Sequence, residues 1–155
     1  MALSTAYLTS KQTKIWNLKG KGLLEANIAR RLNVSRQTVH KALNIANAKI
    51  SQALQETARL NKIRVKTLDP NNGILVGYSQ EFKTLVMITF SARNGVQIWY
   101  RHEGDCKNCD QLQACRTTLL IEAKERDIQL PENHGSMLPS ELAEVLFSKV
   151  MGEGK

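Results

Sequence analysis

Residues Glu25 to Asn44, EANIARRLNVSRQTVHKALN, constrain this chain more than any other stretch. Ile28, Ala29 and Leu32 recur at the spacing that lays an apolar stripe along a helix. Val39 and Ala42 do the same on a second helix, and Val34 falls between the two. Ala29 has to be small, because two helices joined by a short turn cross at close range. Asn33 stands where that turn needs a left-handed backbone, which Gly accepts best and Asn next best. Ser35 offers a side-chain oxygen to the first amides of the second helix. The pattern predicts a helix-turn-helix. Its second helix turns Arg36, Gln37, His40, Lys41 and Asn44 to solvent, all side chains able to donate to base edges or phosphates.

Charge points the same way. Residues 1–66 hold 13 Lys and Arg against 2 acids, Glu25 and Glu56, a formal charge of +11. Residues 67–155 hold 9 against 12, a formal charge of −3. A basic excess confined to the part that carries the motif is the electrostatic footprint of a polyanionic partner. Mere solubility would not split the charge in this way.

Beyond the motif, the segment LTSKQTKIWNLKGKGLLEANIARRLNVSRQTVHKALNIANAKI resembles the four-helix DNA-binding region of LuxR-type regulators and region four of sigma factors. The shared features are an opening Leu-Thr, Gly22 before the first motif helix, the IA-x-x-L-x-V-S-x-x-TV core, and an A-x-x-K-I tail from Ala46 to Ile50. The chain is also similar to archaeal Tfx-type regulators, which begin with such a motif and run directly into a small C-terminal domain. The resemblance covers roughly the first 55 residues. It implies DNA binding and does not name an operator. The chain departs from many such relatives in one respect. Many carry one or two Glu early in the first motif helix, and here there is only Glu25.

The remaining organisation follows from periodicity and turn chemistry. A first helix is expected over about Ser10–Lys19, capped by Thr9 or Ser10, with Ile15 and Leu18 inward. The second motif helix is expected to continue to about Asn61. Leu43, Ala46, Ile50, Ala53, Leu54, Ala58 and Leu60 keep an apolar stripe along it, read either as packing on the chain's own core or as a homodimer seam. The turn cluster Asp69-Pro70-Asn71-Asn72-Gly73 is taken as the boundary region between domains of residues 1–66 and 67–155. Three strands are expected over Ile74–Ser79, Phe82–Ser91 and Val96–His102, the last two joined through Asn94-Gly95. Two helices, about Arg116–Asp127 and Pro139–Met151, should cover them. The expected fold class is α+β: a helix-turn-helix bundle followed by a three-stranded antiparallel sheet domain with two covering helices.

A second chemical signal lies where the third expected strand ends. His102, Cys106, Cys109 and Cys115 form H-x3-C-x2-C-x5-C and include all three cysteines of the chain. A C-x2-C turn can aim two sulfurs at one metal, and Cys115 and His102 can complete four ligands. Asp105 or Asp110 could stand in for His102. Lys107 favours the thiolate form. Structural zinc, an iron–sulfur cluster, and cysteines without metal all remain open. A structural disulfide is disfavoured by the odd count and by a reducing compartment.

The other candidates are weaker. His134 reads as solvated, Trp16 and Trp99 as core, and Glu122, Glu125 and Asp127 as a solvated helix face with Lys124 and Arg126 between them. No phosphate loop, metalloprotease helix or Ser-His-Asp order is present, so no enzyme is expected. No apolar run approaches the roughly 18 residues of a membrane span, and no leader is visible at the N-terminus, so a cytoplasmic location is expected. The expected partner is double-stranded DNA, bound by a homodimer. Arg36, Gln37, His40, Lys41 and Asn44 would face the major groove, and Lys19, Lys21, Arg31, Ser35 and Thr38 the phosphates. The alternative is a factor that docks on RNA polymerase and binds DNA without sequence choice.

Overall fold

The computed structural model describes residues 8–101 and 106–150, except the side chain of Cys106. The chain divides into two compact units, Met1–Arg101 and His102–Lys155. The division follows the sheet, whereas the expected boundary at residue 66 falls inside one of its strands, Ile63–Asp69.

In the first unit, α1 spans Ser10–Gly20, α2 Glu25–Leu32 and α3 Arg36–Leu60. Helix α1 begins at a capping box: Thr9 Oγ1 accepts from the Gln12 amide at 3.2 Å, and Gln12 Oε1 accepts from the Thr9 amide at 3.0 Å. Helix α2 ends at Asn33, whose φ of 55° and ψ of 48° are left-handed as the turn requires. Ser35 then caps α3 by accepting from the Thr38 amide at 3.1 Å. Ile15, Ile28, Ala29, Val39 and Leu43 form the buried centre of this bundle, with Leu18, Leu23, Leu32, Val34 and Ala42 packed around it.

Four strands follow, not the three expected: β1 Ile63–Asp69, β2 Ile74–Ser79, β3 Thr84–Ser91 and β4 Gly95–Tyr100. They form an antiparallel meander in the order β1-β2-β3-β4. The extra strand is β1, an edge strand, exposed from Arg64 to Thr67. A bulge between Val65 and Thr67 shifts its register, so the core-facing Ile63 and Leu68 are an odd number of residues apart. The two-residue alternation that marks a strand is broken there, which is why the sequence pattern hides it. The Asp69–Gly73 cluster is accordingly the β1–β2 hairpin turn. Gly73 has a φ of +67°, and a Cβ on it would stand 2.6 Å from the Phe90 carbonyl oxygen.

The helix that covers this sheet is α3. Its Ala46, Ile50, Leu54 and Ala58 pack on Ile63, Leu75, Val86, Ile88 and Phe90, joined by Trp16 from α1. The apolar stripe of α3 is thus consumed within the chain, and only its last member, Leu60, is largely exposed. Trp16 ties the bundle to the sheet. Its ring meets Phe90 edge-on at 5.4 Å, and its Nε1 donates to the Pro70 carbonyl at 3.2 Å. One helix therefore serves two cores, the first with its N-terminal turns and the second with the rest.

In the second unit, α4 (Leu112–Glu125) and α5 (Pro139–Val150) pack on each other. Leu119, Ala123, Leu142, Leu146 and Phe147 are buried. Arg116 donates to the Gly135 and Met137 carbonyls and so clasps the loop before α5. Glu122 was expected on a solvated face. It is fully buried and accepts from Arg126 Nε at 3.0 Å, which supplies the paired charge that a buried carboxylate needs. No helix of the described residues is long and apolar enough to cross a membrane.

Candidate nucleic-acid interface

The first two and a half turns of α3 carry the five side chains expected to read bases. A helix repeats every 3.6 residues, so positions 36, 37, 40, 41 and 44 share one face. Val39 and Leu43 occupy the opposite face and anchor it in the bundle core. Arg36, Gln37, His40, Lys41 and Asn44 are all exposed and line a single open concavity of about 650 Å³. The helix is held rigidly from below, and every residue of the row can donate a hydrogen bond.

The five expected phosphate contacts lie elsewhere. Lys21 and Arg31 are exposed and Lys19 is half-buried, at the ends of α1 and α2 and outside the concavity's lining. Ser35 Oγ caps α3 and lies 2.8 Å from Thr38 Oγ1, so both hydroxyls have local partners.

Two further residues complete the concavity. Ile45, 38% exposed, is among its lining residues. Glu25, the first residue of α2, lines it from the other motif helix. Its carboxylate oxygens lie 3.2 Å and 3.3 Å from His40 Nδ1. Glu25 is the single acid of the first 55 residues, and it lines the same concavity as the row of donors. Its solitary position was visible in the sequence. Its partner was not, because the two residues are 15 apart and meet only when the helices cross.

The cysteine loop is described in part. His102 lies outside the described residues, as does the side chain of Cys106. A short 3-10 turn, Cys106–Asn108, precedes α4. Cys109 and Cys115 are exposed and not joined to each other, and Cys115 sits in the first turn of α4, its amide donating to the Gln111 carbonyl. Among the described residues, no group of three or more His, Cys, Asp or Glu side chains is placed to hold a metal ion.

No protein-family model, no curated protein and no solved structure matches this chain.

Proposed function

We propose that this chain is a sequence-specific DNA-binding regulator of transcription that inserts the start of α3 into the major groove. The observation that carries the reading is the row of five exposed donor side chains on one face of a capped helix, in a unit with a large positive charge. Arg36 and Gln37 read bases near the helix N-terminus, and His40, Lys41 and Asn44 extend the footprint by up to two turns. Lys19, Lys21 and Arg31 meet phosphates, which set register and affinity. Two copies bind a two-fold operator, through a surface other than the α3 stripe.

The test is binding of the full chain to randomised duplexes, followed by titration of the selected sequence against random DNA at several salt concentrations. Arg36→Ala should cost roughly 1–3 kcal/mol on the selected site and relax one base position. Lys21→Ala should weaken binding to all sequences alike. Equal losses for Arg36→Ala on selected and random DNA would remove Arg36 as a reader.

The second reading, a factor docked on RNA polymerase, is favoured by one observation. Leu24, 65% exposed, precedes Glu25, and Ile45 is exposed in the concavity itself, so apolar side chains accompany the polar row. Steep salt dependence without any selected sequence would favour it.

The cysteine loop belongs to the same proposal. Cys106, Cys109 and Cys115, with His102 as fourth ligand, hold zinc or an iron–sulfur cluster that stiffens the second unit or reports redox or metal status. Metal content and the visible spectrum of protein purified without oxygen test this. Zinc in a colourless sample makes the loop a structural clip, and absorption near 400 nm makes it a cluster. Absence of both removes the metal site.

A further inference from the structure

We infer that Glu25 is a positioning residue that fixes which hydrogen-bonding face His40 shows to DNA, and so makes base choice at one position depend on pH. The inference rests on the DNA-binding reading above and deepens it.

The argument begins with what each group can do. An ionised carboxylate only accepts hydrogen bonds. With both oxygens of Glu25 beside His40 Nδ1, that nitrogen has to carry the hydrogen. In the neutral ring, Nε2 is then the lone-pair nitrogen and can only accept. The imidazole is 62% exposed while the Glu25 side chain is 22% exposed, so the ring projects beyond the carboxylate that holds it. In a major groove, an acceptor at that point matches the exocyclic amino group of adenine or cytosine. Protonation turns Nε2 into a donor, which matches O6 and N7 of guanine or O4 of thymine. The same side chain thus has two opposite preferences, separated by one proton.

Glu25 makes this discrimination possible. Without it, neutral His40 has two tautomers, and Nε2 donates in one and accepts in the other. A residue able to do both cannot reject either class of base. The other charged groups lining the concavity with His40 are Arg36 and Lys41 of α3, and neither can accept a hydrogen bond from Nδ1. Glu25 is the one side chain among them that fixes the tautomer.

The experiment selects duplexes from a randomised pool with the wild-type chain, Glu25→Gln and His40→Ala, at about pH 8 and about pH 5.5, to either side of the range in which histidine ordinarily changes charge. For wild type, one base pair should favour an amino-bearing base roughly three- to tenfold at the higher pH and lose or reverse that preference at the lower. Glu25→Gln is isosteric, and its amide both donates and accepts. It should lose the preference for an amino-bearing base at the higher pH, at that position alone, while the protonated ring still favours an acceptor-bearing base at the lower pH. His40→Ala should lose both preferences, and adding Glu25→Gln to it should change nothing further. A Glu25 that merely stabilised the start of α2 would alter affinity for all sequences and leave every base preference and pH profile as in wild type, which overturns the inference while the DNA-binding reading stands. Wild type that selects no sequence at either pH overturns both.

Discussion

The unit of residues 1–101 carries 16 Lys and Arg against 4 acids, and the unit of residues 102–155 carries 6 against 10. The contrast is one of use as well as number. In the second unit, cations hold the fold together. Arg116 clasps two loop carbonyls, Arg126 neutralises buried Glu122, and Lys149 donates to the Gln129 carbonyl at 2.6 Å. In the first unit, Arg36 and Lys41 face an open concavity beside His40. The acids differ as well: Glu122 is buried, whereas Glu25 and Glu56 each pair with a neighbour on the surface. The same residue types thus clasp loops and a buried carboxylate in the second unit, while in the first two of them stand open in a concavity. Net charge alone would not have distinguished these uses.

The sharpest way to break this comparison is to ask whether the first unit is one body. Ile28 is fully buried in the bundle core and far along the chain from the sheet, yet α3 belongs to both cores. Ile28→Ala should therefore cost about 2–5 kcal/mol. It should loosen bundle and sheet together, with hydrogen exchange of β2 and β3 amides rising alongside that of α2, while α4 and α5 amides keep their protection. Fast exchange in α2 beside an unchanged sheet would restore a boundary near residue 66.

That boundary shows what the sequence made legible and what it hid. The motif helices were readable because their limits rest on local chemistry: a left-handed Asn33, a capping Ser35, and apolar residues at helical spacing. Strands β2 and β3 were readable from unbroken β-rich runs that end in turns. Strand β1 was hidden by a bulge that breaks its alternation, so its hairpin turn looked like a linker. The cover of the sheet was hidden for another reason. An apolar stripe states that a helix packs against something, and only the tertiary structure says that the sheet fills it. The Glu25–His40 pair and the burial of Glu122 likewise depend on which faces meet. The row of exposed donors on α3 was legible as a pattern, whereas His102 and the side chain of Cys106 lie outside what is described.

A smaller effect sharpens the comparison at the helix starts. Helix α3 has a side-chain cap in Ser35, and α4 begins at Gln111 with no side-chain cap hydrogen bond. Ser35→Ala should destabilise the first unit by about 1 kcal/mol. Gln111→Ala should leave the second within about 0.5 kcal/mol. Denaturant titrations can follow the first unit through Trp16 and Trp99, which are the chain's two tryptophans and both belong to it. A Gln111→Ala loss as large as that of Ser35→Ala would mean that α4 is capped by contacts of another kind.

The smallest expected effect concerns the other acid of the basic segment. Glu56 accepts from Arg59 one turn on along α3, and this hydrogen bond, aided by the guanidinium charge, holds its carboxyl below the ordinary value of 4.5. A carboxyl lowered in the folded state binds its proton less readily there than in the unfolded chain. Its stabilising contribution is therefore present above about pH 4.5 and is lost as pH falls through the lower, folded value. Arg59, raised by the same contact, stays charged across this whole range and adds no second transition. Both side chains are exposed, so the effect is limited by solvent screening. Glu56→Gln should lower stability slightly at neutral pH and at low salt, and the gap to wild type should close in acid and in high salt. A gap that widened in acid would mean that the folded state favours the protonated carboxyl, the opposite of what a surface pair with Arg59 imposes.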